Sequence, residues 1–556
     1  MKVALAQVNP TMGDFEGNMG KIEAFIERAQ NAEADLVAFP EMVVSGYPPQ
    51  DLLYERSFVR ANKTVVAELA KKAGDMLVVL GFVDFDEDWR LYNSAAVLGH
   101  RRQLAVIHKT LLPTYDVFDE ARYFQPNDPQ QIRPVTAELK GRQTKVGIEI
   151  CEDLWDHDYD TKVTDLLVQR GAEFVVNISA SPFYVGKRFE REGLLREKAT
   201  ANGIPMLMVN LVGGQDELVF DGQSMVVDAS GETVRMGQQF EEDLVLVDFE
   251  FGTAIAKETR YPSYDKDEEV FSALVLGIRD YFRKTGFERA VLGISGGIDS
   301  AITACVAVEA LGAKNVVAFS MPSKFSSRQS RTDAEEIARN LGIFIFKFSI
   351  HGIVDSYRRT LDRPLGEVRT LFGLDKSKDD PVADENLQPR ARGNCLMDFS
   401  NRLKELRMLV LNTGNKTELA LGYCTLYGDM SGGVGVIGDV SKLQVYRLAE
   451  YINRRAGRDV IPRSTITKKP SPELKEGQYD PFDFAVVSPM VDEIVENRRS
   501  KQELIEMGYP RSTVEDVYGR VRRAEYKRFQ APPCIKITKK AFGTGWKMPI
   551  VNRYRG

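Results

Sequence analysis

The sequence is sparing with the residues that hold metals and staples. Across 556 positions it has five cysteines, four histidines and three tryptophans. The cysteines show no paired CxxC spacing, so neither a disulfide framework nor a zinc site is expected. The histidines are scattered and form no ligand pattern. No apolar run approaches the ~18 residues that a membrane-crossing helix needs. The opening "MKVALAQVNP" reads as a strand, without the charged, apolar and cleavable regions of a leader. Basic excess is missing as well: the net charge is -6, whereas a nucleic-acid binder carries a positive footprint. A stretch such as "NRRSK" at 497–501 is therefore expected to be a solvated helix face. These absences predict a cytoplasmic protein that handles small molecules and engages neither nucleic acid nor membrane.

What is present is α/β alternation in a chain too long for one core. Short Val/Ile/Leu-rich runs recur through the first half, among them "KVALAQV", "DLVAFP", "MLVVLGFV", "QLAVIHK", "TKVGIEIC", "FVVNIS" and "PMLMVNLV". Amphipathic stretches separate them, which is the pattern of an α/β fold. From residue 251 to 268 the chain turns polar and loses its period, which predicts a linker between domains 1–250 and 269–556. The second domain is expected to begin with a helix over 269–284, a strand "AVLGIS" and a helix from Ile298 to about Ala310. A strand "NVVAFSMP", a helix near 330–341 and a strand "IFIFKFSI" follow. Two long polar stretches, 373–390 and 464–481, are expected to be loops that cover a site.

In the first half, Glu41 follows "ADLVAFP", Lys109 follows "LAVIH" and Cys151 follows "KVGIEI". Residues just past strand ends converge on one crevice in an α/β sheet. A thiol needs a base to become a nucleophile, and Glu41 is a candidate. A nearby ammonium balances that carboxylate. Lys109 and the backbone N–H groups after Cys151 would then hold an oxyanion. Spacing alone leaves open the alternative of a packed small cysteine and two solvated charges.

The wording around these residues narrows the choice. "AFPEMVVSGYPPQDLL", "HKTLLPTYDVFDEARYF" and "VGIEICEDLW" resemble the nitrilase-like amidase superfamily, in particular its glutaminase members. The resemblance implies an αββα sandwich with Glu41 as base, Lys109 as electrostatic stabiliser and Cys151 as nucleophile. It also implies that Tyr115, together with Ser181 and Lys187 of "SASPFYVGKR", binds glutamine. The segment departs from the family in having Thr114 where asparagine is usual.

The second half holds "LGISGGIDSA" at 292–301, a glycine-rich turn between a strand and a helix. Gly296 and Gly297 allow backbone N–H groups to approach phosphates at the start of the helix from Ile298, where the helix end adds partial positive charge. Ser295 and Ser300 offer hydroxyls. The lysine and Ser/Thr that close a Walker loop are absent, and Asp299 occupies the cradle. A carboxylate beside phosphates makes sense when Mg²⁺ bridges the two. "SGGIDS" resembles the pyrophosphate-binding loop of the PP-loop ATP-pyrophosphatases, so Gly293 to Ser300, including Ile294 and Ile298, are expected to line ATP.

Further on, "DENLQPRARGNCLMDFSNR", "LNTGNKTELALGYCTLYGDMSGG", "KKPSPELKEGQYD" and "EYKRFQAPPCIKI" resemble, in this order, NAD synthetases. With the first half included, the resemblance is to the glutamine-dependent members of that family. It implies a Rossmann-like parallel sheet, with Thr413, Lys442 and Ser471 on ATP and Asn386, Glu418 and Lys527 on deamido-NAD. Asp299 and Glu418 would hold Mg²⁺. Arg390 and Arg392 have planar forks suited to phosphates, and are equally explained as solvated helix positions. Pro389 stands where the family usually has alanine. The implied reaction is adenylation of deamido-NAD by ATP, then displacement of AMP by ammonia made from glutamine in the first half. The family also implies a homo-oligomer of at least two chains and a shielded passage for ammonia. The rival reading is a nitrilase-type amidase carrying a regulatory nucleotide-binding domain.

Overall fold

Alternation of side chains sets the layers of the first half. In Lys2–Gln7, Val3 and Leu5 join one apolar cluster while Ala4 and Ala6 join another. The same split recurs in Leu77–Phe85, where Leu77 and Val79 oppose Val78 and Leu80. A period of two places alternate residues on opposite faces of a sheet, so each strand serves two cores. The computed structural model describes residues 1–250, 253–255, 264–375 and 380–554. It comprises two units, Met1–Asp265 and Lys266–Gly556.

In the first unit a seven-stranded sheet runs in the order Thr253–Ile255, Asp243–Glu250, Lys2–Gln7, Leu36–Ala38, Leu77–Phe85, Leu91–Gly99, Arg102–His108. A six-stranded sheet runs Thr233–Met236, Met225–Val227, Met206–Asn210, Phe174–Ser179, Arg142–Ile150, Val135–Leu139. Val3, Leu5 and Val79 of the former share one core with Ile148, Val176 and Val209 of the latter. Helices Phe15–Asn31 and Arg56–Ala70 cover the outer face of the first sheet through Ile22, Phe25, Val66 and Leu69. Val163–Gln169 and Lys187–Asn202 cover the second through Leu167, Leu194 and Leu195. Burying each such side chain contributes roughly 1.5–3 kcal/mol. The result is the αββα sandwich expected from the sequence.

The second unit has one five-stranded sheet, parallel throughout, in the order Phe344–Lys347, Val316–Ser320, Arg289–Gly293, Met408–Asn412, Val434–Gly435. The chain builds outward from Arg289–Gly293 in one direction and then crosses to build in the other. Its switch point therefore lies between Arg289–Gly293 and Met408–Asn412, and the crevice beyond their carboxyl ends is where α/β sheets place ligands. Helix Ile298–Leu311 packs between Lys266–Thr285 and Lys442–Ala456.

Several boundaries differ from expectation. Of the stretch read as a linker, Thr253–Ile255 pairs with Asp243–Glu250 and residues from Lys266 onward are already helix; 251–252 and 256–263 lie outside the described residues. Part of the polar stretch 373–390 is helical, in Val382–Arg402, while 376–379 fall outside the described residues. Its polar composition and internal Pro389 conceal a helix that is held by packing: Ala391 and Leu396 join Val291 and Val410 in one core. Helix His351–Phe372 was not anticipated at all. In 464–481 the structure places the end of the short helix Arg463–Thr467 and then irregular chain.

Candidate active sites

The first unit brings Glu41, Lys109 and Cys151 into one buried cluster. Glu41 lies in the turn after Leu36–Ala38, Lys109 directly follows Arg102–His108, and Cys151 directly follows Arg142–Ile150. The Glu41 turn sits against Leu77–Phe85 so closely that a Cβ on Gly81 would lie 2.2 Å from the Met42 nitrogen and 2.6 Å from the Glu41 Cα. Only glycine fits there. Lys109 Nζ donates to Glu41 Oε1 at 2.8 Å and to both Glu120 oxygens at 2.9 Å. Asn93 Nδ2 donates to Glu41 Oε1 at 2.6 Å, and the Ala180 N–H donates to Glu41 Oε2 at 2.9 Å. Tyr47 OH donates to Glu120 Oε1 at 2.9 Å.

Electrostatics assign states to these groups. Burial acts to lower the Lys109 ammonium, but Glu120 and Glu41 outweigh it and hold its pKa well above the ordinary value. The lysine therefore stays charged. Burial first, then the Glu41 charge, push the Cys151 thiol well up, against the pull of Lys109. The resting residue is therefore a thiol, which would need a base to become a nucleophile. Burial also raises the Glu120 carboxyl, opposed by Lys109. Removing one partner of a fully buried pair leaves an uncompensated charge, so Lys109→Met is expected to cost the unit about 3–5 kcal/mol in urea unfolding. Adding Glu41→Gln should restore part of that loss; a double variant no more stable than the single one would contradict the ion-pair account.

The backbone at Cys151 is strained, with φ 45°, a conformation that costs about 1–3 kcal/mol for a non-glycine residue. Asn177 Nδ2 donates to its carbonyl at 3.3 Å. Asp153 accepts from the N–H groups of Ile150 (3.1 Å), Thr110 (2.9 Å) and Leu111 (2.8 Å). One carboxylate thus fastens the chain after Lys109 to the turn at Cys151. Burial pushes the Asp153 carboxyl up to about 7, while those N–H groups hold it down.

The three residues implied for glutamine surround this turn. Tyr115 OH donates to Glu152 Oε2 at 3.0 Å, and Tyr159 OH donates to Glu152 Oε1 at 3.1 Å. Lys187 begins helix Lys187–Asn202 with its ammonium 3.7 Å from the centre of the Trp155 ring. Ser181 is buried, next to the Ala180 that binds Glu41, and its N–H donates to Asn210 Oδ1 at 2.9 Å.

In the second unit, the loop from Ile294 to Gly297 joins strand Arg289–Gly293 to helix Ile298–Leu311 at the switch point. Gly296 has φ 78°, and a Cβ there would lie 2.1 Å from the Ser330 carbonyl oxygen. Ser295 Oγ accepts from the Gly297 N–H at 3.1 Å, and Ser300 Oγ donates to the Gly297 carbonyl at 2.9 Å. Asp299 accepts from Asn415 Nδ2 at 2.9 Å and from Lys442 Nζ. Lys442 Nζ is also 3.6 Å from Glu418 Oε1. Burial and the Asp299 charge raise the Glu418 carboxyl. Burial works to lower the Lys442 ammonium, yet Asp299 and Glu418 hold it up.

Among the described residues no group of three His, Cys, Asp or Glu side chains is placed to hold a metal. Asp299 and Glu418 nevertheless already converge on one positive charge. Two hard carboxylates completed by substrate phosphates are the set that Mg²⁺ takes, so these residues fit that ion.

The other expected residues form less compact sets. Thr413 lies just past Met408–Asn412. Ser471 spends its hydroxyl within its own loop, donating to the Gln478 carbonyl and accepting from the Glu473 N–H. Asn386 Oδ1 accepts from Thr425 Oγ1 at 2.8 Å. Lys527 Nζ donates to the carbonyls of Gly422 (2.8 Å) and Cys424 (2.7 Å), beyond the end of helix Lys416–Leu421. Arg392 Nε donates to the Met321 carbonyl at 3.0 Å, and burial lowers its guanidinium to about 10. Arg390 Nε donates to the Leu426 carbonyl at 3.2 Å.

Sequence reasoning missed Glu120, Asn93, Asp153 and Asn415. Asn415 carried a usable signal, because Asn–x–x–Glu is a capping-box spacing. Its side chain accepts from the Glu418 N–H while Glu418 reaches back to the Asn415 N–H. Glu120 carried none by spacing, lying in the one-turn helix Glu120–Arg122 eleven residues past Lys109, although it falls inside the segment that carries the family resemblance.

A sandwich with a buried Glu–Lys–Cys cluster, followed by a parallel sheet with a phosphate-type loop at its switch point, defines a two-part amide-transferring enzyme. Residues 2–258 match the carbon-nitrogen hydrolase family model and residues 270–531 match the NAD synthase model. Similarity to curated proteins runs from end to end. The glutamine-dependent NAD(+) synthetase of Thermotoga maritima is 40% identical over 100% of this chain and 99% of its own. That of Synechocystis is 41% identical over 99% of each. The solved structure of the Acinetobacter baumannii glutamine-dependent NAD+ synthetase in complex with ADP is similar with a TM-score of 0.77 at 38% identity, covering 99% of this chain and 98% of that one. The chain belongs to the glutamine-dependent NAD(+) synthetase family.

Proposed function

We propose that the protein makes NAD⁺ by ATP-dependent amidation of deamido-NAD, with ammonia released from glutamine in its first unit. One observation carries this reading: a chain that matches such synthetases from end to end holds both a buried Glu41–Lys109–Cys151 cluster and the Asp299 loop at a sheet switch point. The first unit, Met1–Asp265, is the glutaminase part and the second, Lys266–Gly556, the synthetase part.

At the first site Cys151 Sγ attacks the side-chain carbonyl of glutamine while Glu41 takes the thiol proton. The charge that develops on the carbonyl oxygen meets the Lys109 ammonium and the N–H groups after Cys151. Collapse breaks the C–N bond; Glu41 returns the proton to nitrogen, ammonia leaves, and a glutamyl thioester remains. Water, deprotonated by Glu41, then releases glutamate. Tyr115, Ser181 and Lys187 hold the amino-acid end.

At the second site the N–H groups of the loop from Gly293 to Ser300 cradle the ATP phosphates, and Thr413, Lys442 and Ser471 complete the ATP contacts. Asn386, Glu418 and Lys527 hold deamido-NAD. Asp299 and Glu418 would hold Mg²⁺, which would neutralise phosphate charge. The nicotinate carboxylate displaces pyrophosphate from the α-phosphorus to form an acyl adenylate. Ammonia then adds to the acyl carbon, AMP leaves, and the amide of NAD⁺ results. Activation is required because ammonia does not displace an oxide from a bare carboxylate. The test is NAD⁺ formation, read by chromatography, from deamido-NAD, Mg-ATP and either glutamine or ammonium. Glutamine hydrolysis with no NAD⁺ from either source would leave only an amidase.

Two further parts of the reading concern setting. Among the described residues no helix is long and apolar enough to cross a membrane, and we place the enzyme in the cytoplasm with its substrates. The second unit exposes Phe344 and Phe346 on an edge strand, and Leu361, Leu365, Leu371 and Phe372 on helix His351–Phe372. An apolar surface of this kind marks an interaction site, and a second copy of the chain is its occupant. Light scattering is expected to give at least a dimer, and Leu361→Glu with Leu365→Glu to lower the mass. A monomeric wild type would refute this.

A further inference from the structure

We propose that Lys468 is a positioning residue for ATP: its ammonium ties down the Gly296 carbonyl and fixes the left-handed turn by which the loop between strand Arg289–Gly293 and helix Ile298–Leu311 meets phosphate. This rests on the reading of that loop as the ATP site. Lys468 Nζ donates to the Gly296 carbonyl at 2.6 Å, and Thr465 Oγ1 donates to the same oxygen at 3.4 Å. The ammonium also reaches Ser330 Oγ at 3.2 Å and Asp333 Oδ2 at 3.3 Å.

Asp333 is fully buried and has other tasks, accepting from Ser464 Oγ at 2.6 Å and from Gln329 Nε2 at 2.8 Å. Glu473 binds the start of the same helix, accepting from the Ser327 N–H at 3.1 Å and from Ser330 Oγ at 2.7 Å. Residues 464 to 473 therefore clasp helix Arg328–Leu341 at both ends of one short stretch, and Lys468 extends from that clasp to the loop.

The loop needs such a hold. Glycine populates positive and negative φ about equally, so Gly296 does not by itself select the turn it adopts. Close packing demands glycine here, because a Cβ would strike the Ser330 carbonyl. The conformation therefore has to be selected from outside. A charged donor on the carbonyl of the mobile peptide does this, since rotating that peptide breaks the bond. Neither Lys468 nor Thr465 is among the residues assigned above to contact substrate.

The test is Mg-ATP binding to the full chain by calorimetry, beside ammonium-driven NAD⁺ synthesis. Lys468→Met is expected to weaken ATP binding about 10- to 100-fold, the loss of a charge-assisted hydrogen bond, and to raise KM for ATP while kcat changes little. Lys468→Arg, which keeps a charged donor, should recover most of it. Thr465→Val should move binding the same way by less, and it carries the test where Lys468→Met does not fold. Unchanged ATP binding in the folded variants overturns the proposal, as does a fall in kcat with KM intact. A wild type that binds ATP but makes no NAD⁺ would instead overturn the synthetase reading, with the loop still tested by binding.

Discussion

Cys151→Ala is expected to abolish NAD⁺ synthesis from glutamine, by at least about 10,000-fold, as the loss of a covalent nucleophile does elsewhere, and to leave synthesis from ammonium unchanged. The asymmetry follows from where the residue sits. Its thiol is buried beside Glu41, Lys109 and Glu120 and interacts with all three charges, so removing it ends thioester formation. The Asp299 loop belongs to the other unit, where its carboxylate is held by Asn415 and Lys442. Alanine is the informative replacement, because a serine hydroxyl could still attack. Glutamate release should vanish together with glutamine-driven NAD⁺. A variant that still used glutamine would show that some other group opens the amide.

Asp299→Asn is expected to fail in the complementary way, with NAD⁺ synthesis from either nitrogen source reduced about 100- to 1,000-fold, the size seen when one preorganised electrostatic group is removed. The Asp299 carboxylate lies between Asn415 Nδ2 and the Lys442 ammonium. An amide of the same shape keeps the space but loses the charge, so Lys442 loses its nearer ion-pair partner and keeps Glu418 at 3.6 Å. Glu418 in turn loses the repulsion that raises its carboxyl. Both changes alter the charge that meets the triphosphate. Glutamate release, measured without deamido-NAD, should persist. If that variant used ammonium normally, the loop would be a structural turn.

Which parts of the molecule were legible in the sequence follows from physical range. Strands such as Lys2–Gln7 and Leu77–Phe85 announce themselves because a short continuous apolar run is a local pattern. Glu41, Lys109 and Cys151 stand just past such strands, a spacing that left a packed cysteine and two solvated charges open until the resemblance of the surrounding segments singled them out. The loop at 295–300 was legible because its glycines and Asp299 are contiguous. Glu120 was not, since its place against Lys109 depends on how the chain between them folds back to set down the short helix Glu120–Arg122. Val382–Arg402 was hidden by polar residues whose helical state is decided by burial of Ala391 and Leu396. Lys468 lay in a stretch that composition marks only as loop. Its meaning appears once Gly296, Ser330 and Asp333, far apart in the chain, are brought beside it.

The carboxylate and the thiol of the first cluster are mounted on different leaves of the sandwich. Glu41 and Lys109 follow strands of the seven-stranded sheet, while Cys151 follows a strand of the six-stranded one. The spacing between sulfur and carboxylate is therefore set by the thickness of the layer between them, where Leu5, Val79, Ile148 and Val176 meet. That layer works as a calibrated shim. Trimming it far from any reacting atom, at Ile148 for instance, would let the leaves settle and detune the chemistry while the fold survived. In such an enzyme, hydrolysis rate is a finer gauge of core packing than melting temperature.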